Sequence, residues 1–149
     1  MLKRLREIVT TTLSANFTTT VVAATATGLA FNIGPNEVWF VEAQITAQCS
    51  GTGGSKYSVT GPAGAAIEGW IYSSTSAITT LSYQRLTALA TLNTTALHTV
   101  ATSPAPDVLR FVIQNGSTAG VVAINAASVT ATQTTTLFLS SGLQATRSS

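Results

Sequence analysis

The sequence predicts an all-β domain, a two-sheet jelly-roll-like sandwich with a short N-terminal arm or helix, and three observations carry that prediction. Thr and Ala make up about a third of the 149 residues, while charged residues are only 8%, against roughly 25% in an ordinary globular chain. Thr is β-branched and loses little freedom on a pleated surface, and Ala fits where two sheets approach closely. From Phe17 onward the apolar pattern has a period of two, which is the spacing of a half-buried strand. Clusters of Gly, Pro and Asn then punctuate the chain about every ten residues, as in sandwiches and barrels. A chain of this length forms one domain with a core large enough to fold without disulfides or metal. The expected division is an N-terminal arm over 1–16 and a β-sandwich over 17–149.

In the arm, Leu2, Leu5, Ile8 or Val9, and Leu13 fall at helical spacing, with Lys3, Arg4 and Arg6 elsewhere around the turn. Residues 2–13 therefore suit a short amphipathic helix or, equally, an extended arm, since so short a helix rich in Thr is marginal alone. Phe17–Ala26 and Leu29–Ile33 read as strands, closed by the turn Gly34-Pro35-Asn36. Val38–Cys49 is the clearest strand: Trp39, Val41, Ala43, Ile45, Ala47 and Cys49 share a face expected in the core, opposite Glu42, Gln44, Thr46 and Gln48. Ser50–Ser55 reads as a loop, Lys56–Thr60 as a short strand, Gly61–Gly64 as a turn and Ile67–Tyr72 as another strand.

Ala77–Leu92 is assigned to one or two strands, although Tyr83–Ala88 is equally compatible with a helix. Ser103–Asp107 reads as a break. Val108–Gln114 and Gly120–Ala127 then flank Asn115–Ala119 as a hairpin, with Leu109, Phe111 and Ile113 inward. Val129–Thr134, Thr136–Ser140 and Leu143–Thr146 close the domain, for a total of about eight to ten short strands.

Chemistry is scarce. The only His is His98, the only Asp is Asp107 and the only Cys is Cys49. A triad needs a base within reach of its nucleophile and a third group to orient it, and no spacing here supplies one. Glu37 and Glu42 are five apart, hence on opposite faces of a strand, and Glu68 is distant. No metal-ligand spacing occurs, no cofactor motif is complete, and Gly51-Thr52-Gly53-Gly54 lacks the Lys and helix start of a phosphate loop. The expectation is a protein that is not an enzyme, with no catalytic, cofactor or metal site. Cys49 reads as a small buried hydrophobe.

Charge divides the chain. Lys3, Arg4 and Arg6 against Glu7 give the first seven residues a net of +2, and the remainder sums to zero. A calculated pI of about 9.0 therefore does not signal a nucleic-acid-binding face, which uses many clustered cations. Apolar runs stop far short of the ~18 residues of a spanning helix, and no signal peptide is read at the start. A scarcely charged surface repels its own copies weakly and favours life in an assembly. The basic, apolar start has three uses open to it: packing on its own domain, anchoring to a partner protein, or lying on a membrane, for which it has few bulky apolar residues. As an anchor, Leu2, Leu5 and Ile8 would be buried while Lys3, Arg4 and Arg6 meet acidic groups. Trp70 and Tyr72, sharing a strand face with Glu68, and Phe40, on the polar face of its strand, are candidates for a ligand groove as well as for core or interface.

Four blocks in order, from Val38 to Ile45, Gly54 to Ala65, Leu109 to Ile124 and Leu137 to Arg147, resemble a β-sandwich module of tailed-bacteriophage virion proteins. The resemblance covers residues 30–147 or so and leaves the first twenty unmatched. It implies a virion structural protein, closest to capsid decoration or cement proteins: a homotrimer or homodimer, made in the host cytoplasm and carried on the capsid surface. Its expected partners are the major capsid protein and itself, with no nucleic acid and no membrane. The alternative is a tail or head-fibre adsorption module that binds a host-surface receptor, through Ser50–Ser55 and the Trp70/Tyr72 region.

Overall fold

The computed structural model describes residues 7–51, 53–74, 81–93 and 103–148. Leu2, Lys3, Arg4, Leu5, Arg6 and His98, and the first part of the Ala77–Leu92 assignment, lie outside them. The described residues form eleven strands in two antiparallel sheets, the sandwich that the period-two pattern predicts. The strands are β1 (Ile8–Thr12), β2 (Phe17–Thr19), β3 (Thr25–Ile33), β4 (Val38–Cys49), β5 (Ser55–Thr60), β6 (Ala66–Ser74), β7 (Leu81–Leu86), β8 (Ala105–Gln114), β9 (Gly120–Ser128), β10 (Thr135–Leu137) and β11 (Gly142–Arg147). The large sheet runs β1-β11-β4-β8-β6-β7, with β10 pairing both β4 and β2, and the small sheet runs β3-β9-β5.

Central β4 shows why the alternation is so clean. Trp39, Val41, Ala43, Ile45, Ala47 and Cys49 are all buried because one face of the strand meets the small sheet. Leu109, Phe111 and Ile113 of β8 lie beside them, and Leu29, Phe31 and Ile33 of β3 with Val122 and Ile124 of β9 close the core from the other side. Phe31 and Trp39 touch across the two sheets, ring centroids 5.3 Å apart. Each large aliphatic or aromatic side chain so buried contributes about 1.5–3 kcal/mol. On β6 the inward position between Ile67 and Ile71 is Gly69, opposite Phe111. A Cβ there would collide with the Arg110 carbonyl oxygen and the Phe111 side chain, so the close approach of β6 to β8 requires glycine.

Several sequence expectations change. Of the two conformations open to 2–13, the described part is extended: Ile8–Thr12 pairs with Thr146–Gly142 of β11. Phe17–Ala26 is not one strand but β2 and the start of β3, which runs on through Gly28, whose φ is +93°, with a register shift between Ala26 and Ala30. Tyr83–Ala88 is not helical; β7 pairs with β6 from Leu81 to Leu86. The break at 103–107 is shorter than expected, since Ala105, Pro106 and Asp107 already pair with β4. Pro106 fits because the β6 ladder ends at Asp107, so the missing N–H falls where β8 has one neighbour. Val129–Thr134 is bends and turns rather than a strand, and Thr136–Ser140 is cut short by a turn in which Ser141 N–H donates to Phe138 O.

The most consequential correction concerns 115–119. β8 and β9 are not a hairpin, because β8 belongs to the large sheet and β9 to the small one. The segment arches between sheets because its N–H groups find partners on other connections. Asn115 N–H donates to Glu37 O and Asn36 N–H to Gly116 O, and the buried Asn115 side-chain amide donates to Gly34 O and Thr118 O. The β3–β4 turn and the β5–β6 turn also cross between sheets, and Gly116 packs on Gly64 while Gly120 packs on Pro62. Three crossings thus meet at one end of the sandwich.

Glu37 ties that end together. Its carboxylate accepts from Gly34 N–H at 2.7 Å and from the Trp39 indole at 2.9 Å, and Arg147 of β11 lies 2.9 Å from its other oxygen. Burial alone would push this carboxyl up; the Trp39 and Gly34 hydrogen bonds and the Arg147 charge outweigh it and hold the carboxyl below its ordinary 4.5. At the small sheet's edge, β5 is sealed by the segment after β7: Ala90 and Asn93 donate their N–H groups to Val59 O and Tyr57 O, and Asn93 Oδ1 accepts from Tyr57 N–H. An edge so occupied does not template pairing with another chain.

Two outcomes follow for stability. Glu37 contributes stability that is complete above pH 4.5 and is lost as the pH falls through its lower folded value. Glu37→Gln should therefore cost about 1–3 kcal/mol at neutral pH and flatten the acid limb of a denaturation series. Gly69→Ala should cost at least about 1–3 kcal/mol, read as a lower urea midpoint.

Candidate functional site

Strand order in the large sheet assembles a surface from residues far apart in the sequence. On its solvent face, cross-strand pairing sets Thr146, Phe40, Val112 and Glu68 in one row. The next row holds Gln144, Glu42, Arg110, Trp70 and Arg85, and a third places Tyr72 beside Tyr83. The alternation that buries Trp39, Val41, Leu109 and Phe111 inside is the reason these residues face out.

The result is an open groove of about 580 Å³ whose walls include Phe40, Glu42, Glu68, Trp70, Arg110 and Gln144, within the roughly 300–1,000 Å³ of small-ligand sites. Phe40 is 53% and Trp70 39% exposed, unusual for side chains of that size on a folded surface. Trp70 is held edge-on to Tyr83, centroids 5.9 Å apart at 61°, an arrangement that fixes the ring in place. Two ion pairs bracket it: Arg110 Nε to Glu42 at 2.7 Å, and Arg85 Nε to Glu68 at 2.6 Å. Both pairs are well exposed and screened by water, so neither is a main source of stability. Their importance is positional, because they orient four charged groups into a locally neutral rim.

The other chemistry-bearing residues are elsewhere. Asp107 is in the core, where Oδ2 accepts from the Tyr57 hydroxyl at 2.6 Å. Burial first, and then the Asp107 charge and hydrogen bond, push the Tyr57 hydroxyl well above its ordinary value. Cys49 is buried against Thr135, and burial pushes its thiol up. Among the described residues no group of three or more His, Cys, Asp or Glu gathers in a way that could hold a metal ion. Glu42 and Glu68 do line one groove, which their sequence separation concealed. Each is engaged by an arginine at an open surface.

Of the residues that the sequence singled out for docking, Ile8 is described: it is 56% exposed on β1, at the edge of the large sheet, opposite Thr146. The sequence pointed to Phe40, Trp70 and Tyr72 as groove candidates, and the structure places all three on one face. Arg85, Arg110 and Gln144 were missed, because what qualifies them is their row in the sheet. Of the Ser50–Ser55 loop, the described residues line no part of the groove, and Ser50 N–H donates to Thr134 O of the β9–β10 connection.

No family model and no curated protein matches the chain. Among solved structures, it is similar to the VP2 subviral particle of infectious bursal disease virus at 11% identity and a TM-score of 0.26, over 95% of this chain and 37% of that one. It is also similar to carbohydrate-binding modules from the β-sandwich superfamily, at 11% identity and a TM-score of 0.23, over 83% of this chain and 55% of that one. The chain thus spans between about a third and just over half of these structures' lengths, and scores of this size carry no functional argument.

The buried Tyr57–Asp107 pair gives a clear alkaline signature. Because the folded Tyr57 hydroxyl titrates above its ordinary 10.0, its contribution is complete below that pH and is lost as the pH rises toward the folded value. Tyr57→Phe should remove this alkaline loss and, by deleting the buried hydrogen bond from the Tyr57 hydroxyl to Asp107, cost about 1 kcal/mol at neutral pH. Thermal melting across neutral and alkaline pH measures both.

Proposed function

We propose that the chain is a virion structural protein, specifically a capsid decoration protein that works as a homotrimer or homodimer and bridges major capsid subunits on the head exterior. The observation that carries this reading is the placement of β1. The segment carrying Leu2, Lys3, Arg4, Leu5 and Arg6 leads directly into the outermost strand of the large sheet, where Ile8 is exposed. An edge strand that no described strand pairs on its outer side, continuing in sequence from a basic, apolar segment, offers both main-chain pairing and apolar burial to a partner. The blocks that resemble phage virion modules support the setting, since they contribute β4, β5, β8, β9 and β11, from both sheets.

Such a protein acts by contact and needs no catalytic step. Copies that bury surface on an assembled shell, and little on free subunits, stabilise the assembled state by linkage, each by RT ln(1 + [L]/Kd). Cyclic self-contacts keep the unit finite. The second reading, an adsorption module binding a host-surface receptor, is favoured by one specific observation, the exposed aromatic groove.

Copy number separates the two: quantitative mass spectrometry of purified virions should give hundreds of copies per particle, and a handful would overturn decoration in favour of a tail component. Removing residues 1–6 spares β1 and the core residue Leu13, so the melting temperature should hold while occupancy on undecorated capsids falls at least about tenfold. Unchanged occupancy would exclude the segment as the anchor.

A further inference from the structure

We infer that the outer groove of the large sheet is a binding site for neutral oligosaccharides, with Trp70 and Phe40 as stacking platforms. This inference stands on the groove and does not depend on the decoration reading.

The argument starts from what the two aromatic rings have in common. Each presents apolar area to solvent on a surface that no described element covers, and the negative face of an aromatic ring attracts the C–H-rich face of a pyranose. Their separation follows from the pairing. Phe40 and Trp70 lie two strands apart and one pair of residues out of row, which at ~4.8 Å per strand and ~3.4 Å per residue gives about 12 Å between backbone positions. That span exceeds one pyranose ring and suits a short chain of them. Glu42 and Arg110 lie between the platforms and Gln144 flanks Glu42 on β11; their carboxylate, guanidinium and amide supply acceptors and donors for sugar hydroxyls.

Charge selects the ligand class. Glu42, Glu68 and Arg110 line the groove, and Arg85 reaches Glu68 from neighbouring β7, so each carboxylate is matched by a guanidinium. No net positive field remains to favour an anionic sugar or to follow a nucleic-acid backbone, although bases could stack on the same rings. A second copy of the chain, or a protein partner, fits less well. The centre of a protein interface is depleted of charge, and here an ion pair occupies the centre, between the two aromatic platforms.

The chain carries its own reporter. It has two tryptophans; Trp39 is buried at 1% exposure and Trp70 is open, so a ligand in the groove perturbs the emission of Trp70 and leaves that of Trp39. The experiment titrates the full chain with neutral gluco-, manno- and galacto-configured oligosaccharides, and with uronic-acid and sialylated ones, following fluorescence and calorimetric heat. The expected result is saturable binding of at least one neutral series with no gain for the acidic ones. Trp70→Ala should weaken it at least about tenfold. Phe40→Ala should weaken it less, and Val121→Ala, an exposed change on the small sheet, should leave it unchanged. Melting curves show that each variant is folded.

Failure of every neutral series to saturate, binding confined to acidic sugars, or undiminished affinity in folded Trp70→Ala and Phe40→Ala would each overturn the inference. So would a sugar-free self-association that sedimentation detects and Trp70→Ala abolishes, since the face would then be an interface between copies. None of these outcomes bears on copy number in the virion.

Discussion

One carboxylate holds the sandwich closed at the end where the chain passes three times between sheets. Glu37 satisfies the Gly34 amide of the β3–β4 turn, fixes the indole of Trp39 at the mouth of the core and pairs with Arg147 at the end of β11. Its main-chain carbonyl accepts from Asn115 in the β8–β9 arch. A two-sheet fold needs such a point because hydrogen-bonded ladders act within a sheet, whereas the sheets themselves are held by non-directional burial. Polar groups at the crossings would otherwise be buried without partners, each at a cost of about 1–3 kcal/mol. The core and the rows on the outer face both rely on the register that these crossings set.

The parts legible in the sequence are those governed by local physics. The burial of β4, the inward face of β8 and the turns at 34–36 and 61–64 each depend on residues within a few positions of one another. The parts that were not legible depend on distant partners. Asn115-Gly116 has the composition of a hairpin turn, and only the pairing of its amides with Gly34 and Glu37 makes it an arch. Pro106 looked like a break because the sequence does not show that β6 ends beside it. Val129–Thr134 alternates like a strand but spends its groups on turns and on Ser50.

The groove teaches the same lesson at the level of function. Exposed aromatics were visible as outward positions on β4 and β6, yet a site requires them to be neighbours, and β4 and β6 are neighbours only through β8, which the chain makes later. Arg110 acquires meaning from lying between Glu42 and Trp70 in the sheet. Glu42 and Glu68 illustrate the same dependence, since they meet on one groove, each beside its own arginine, only through strand order. Scarcity of reactive groups directs attention to surfaces, and strand order decides which surface.

The position of β4 bears on the birth of the protein. Its two flanks are covered by β8 on one side and by β10 and β11 on the other, and all three are translated after it. More than fifty residues separate the end of β4 from the start of β8, several seconds of ribosome time at about 5–20 residues per second. During that interval the longest of the described strands has no native sheet partner on either side. The large sheet therefore closes around β4 only once β8, β10 and β11 have been made.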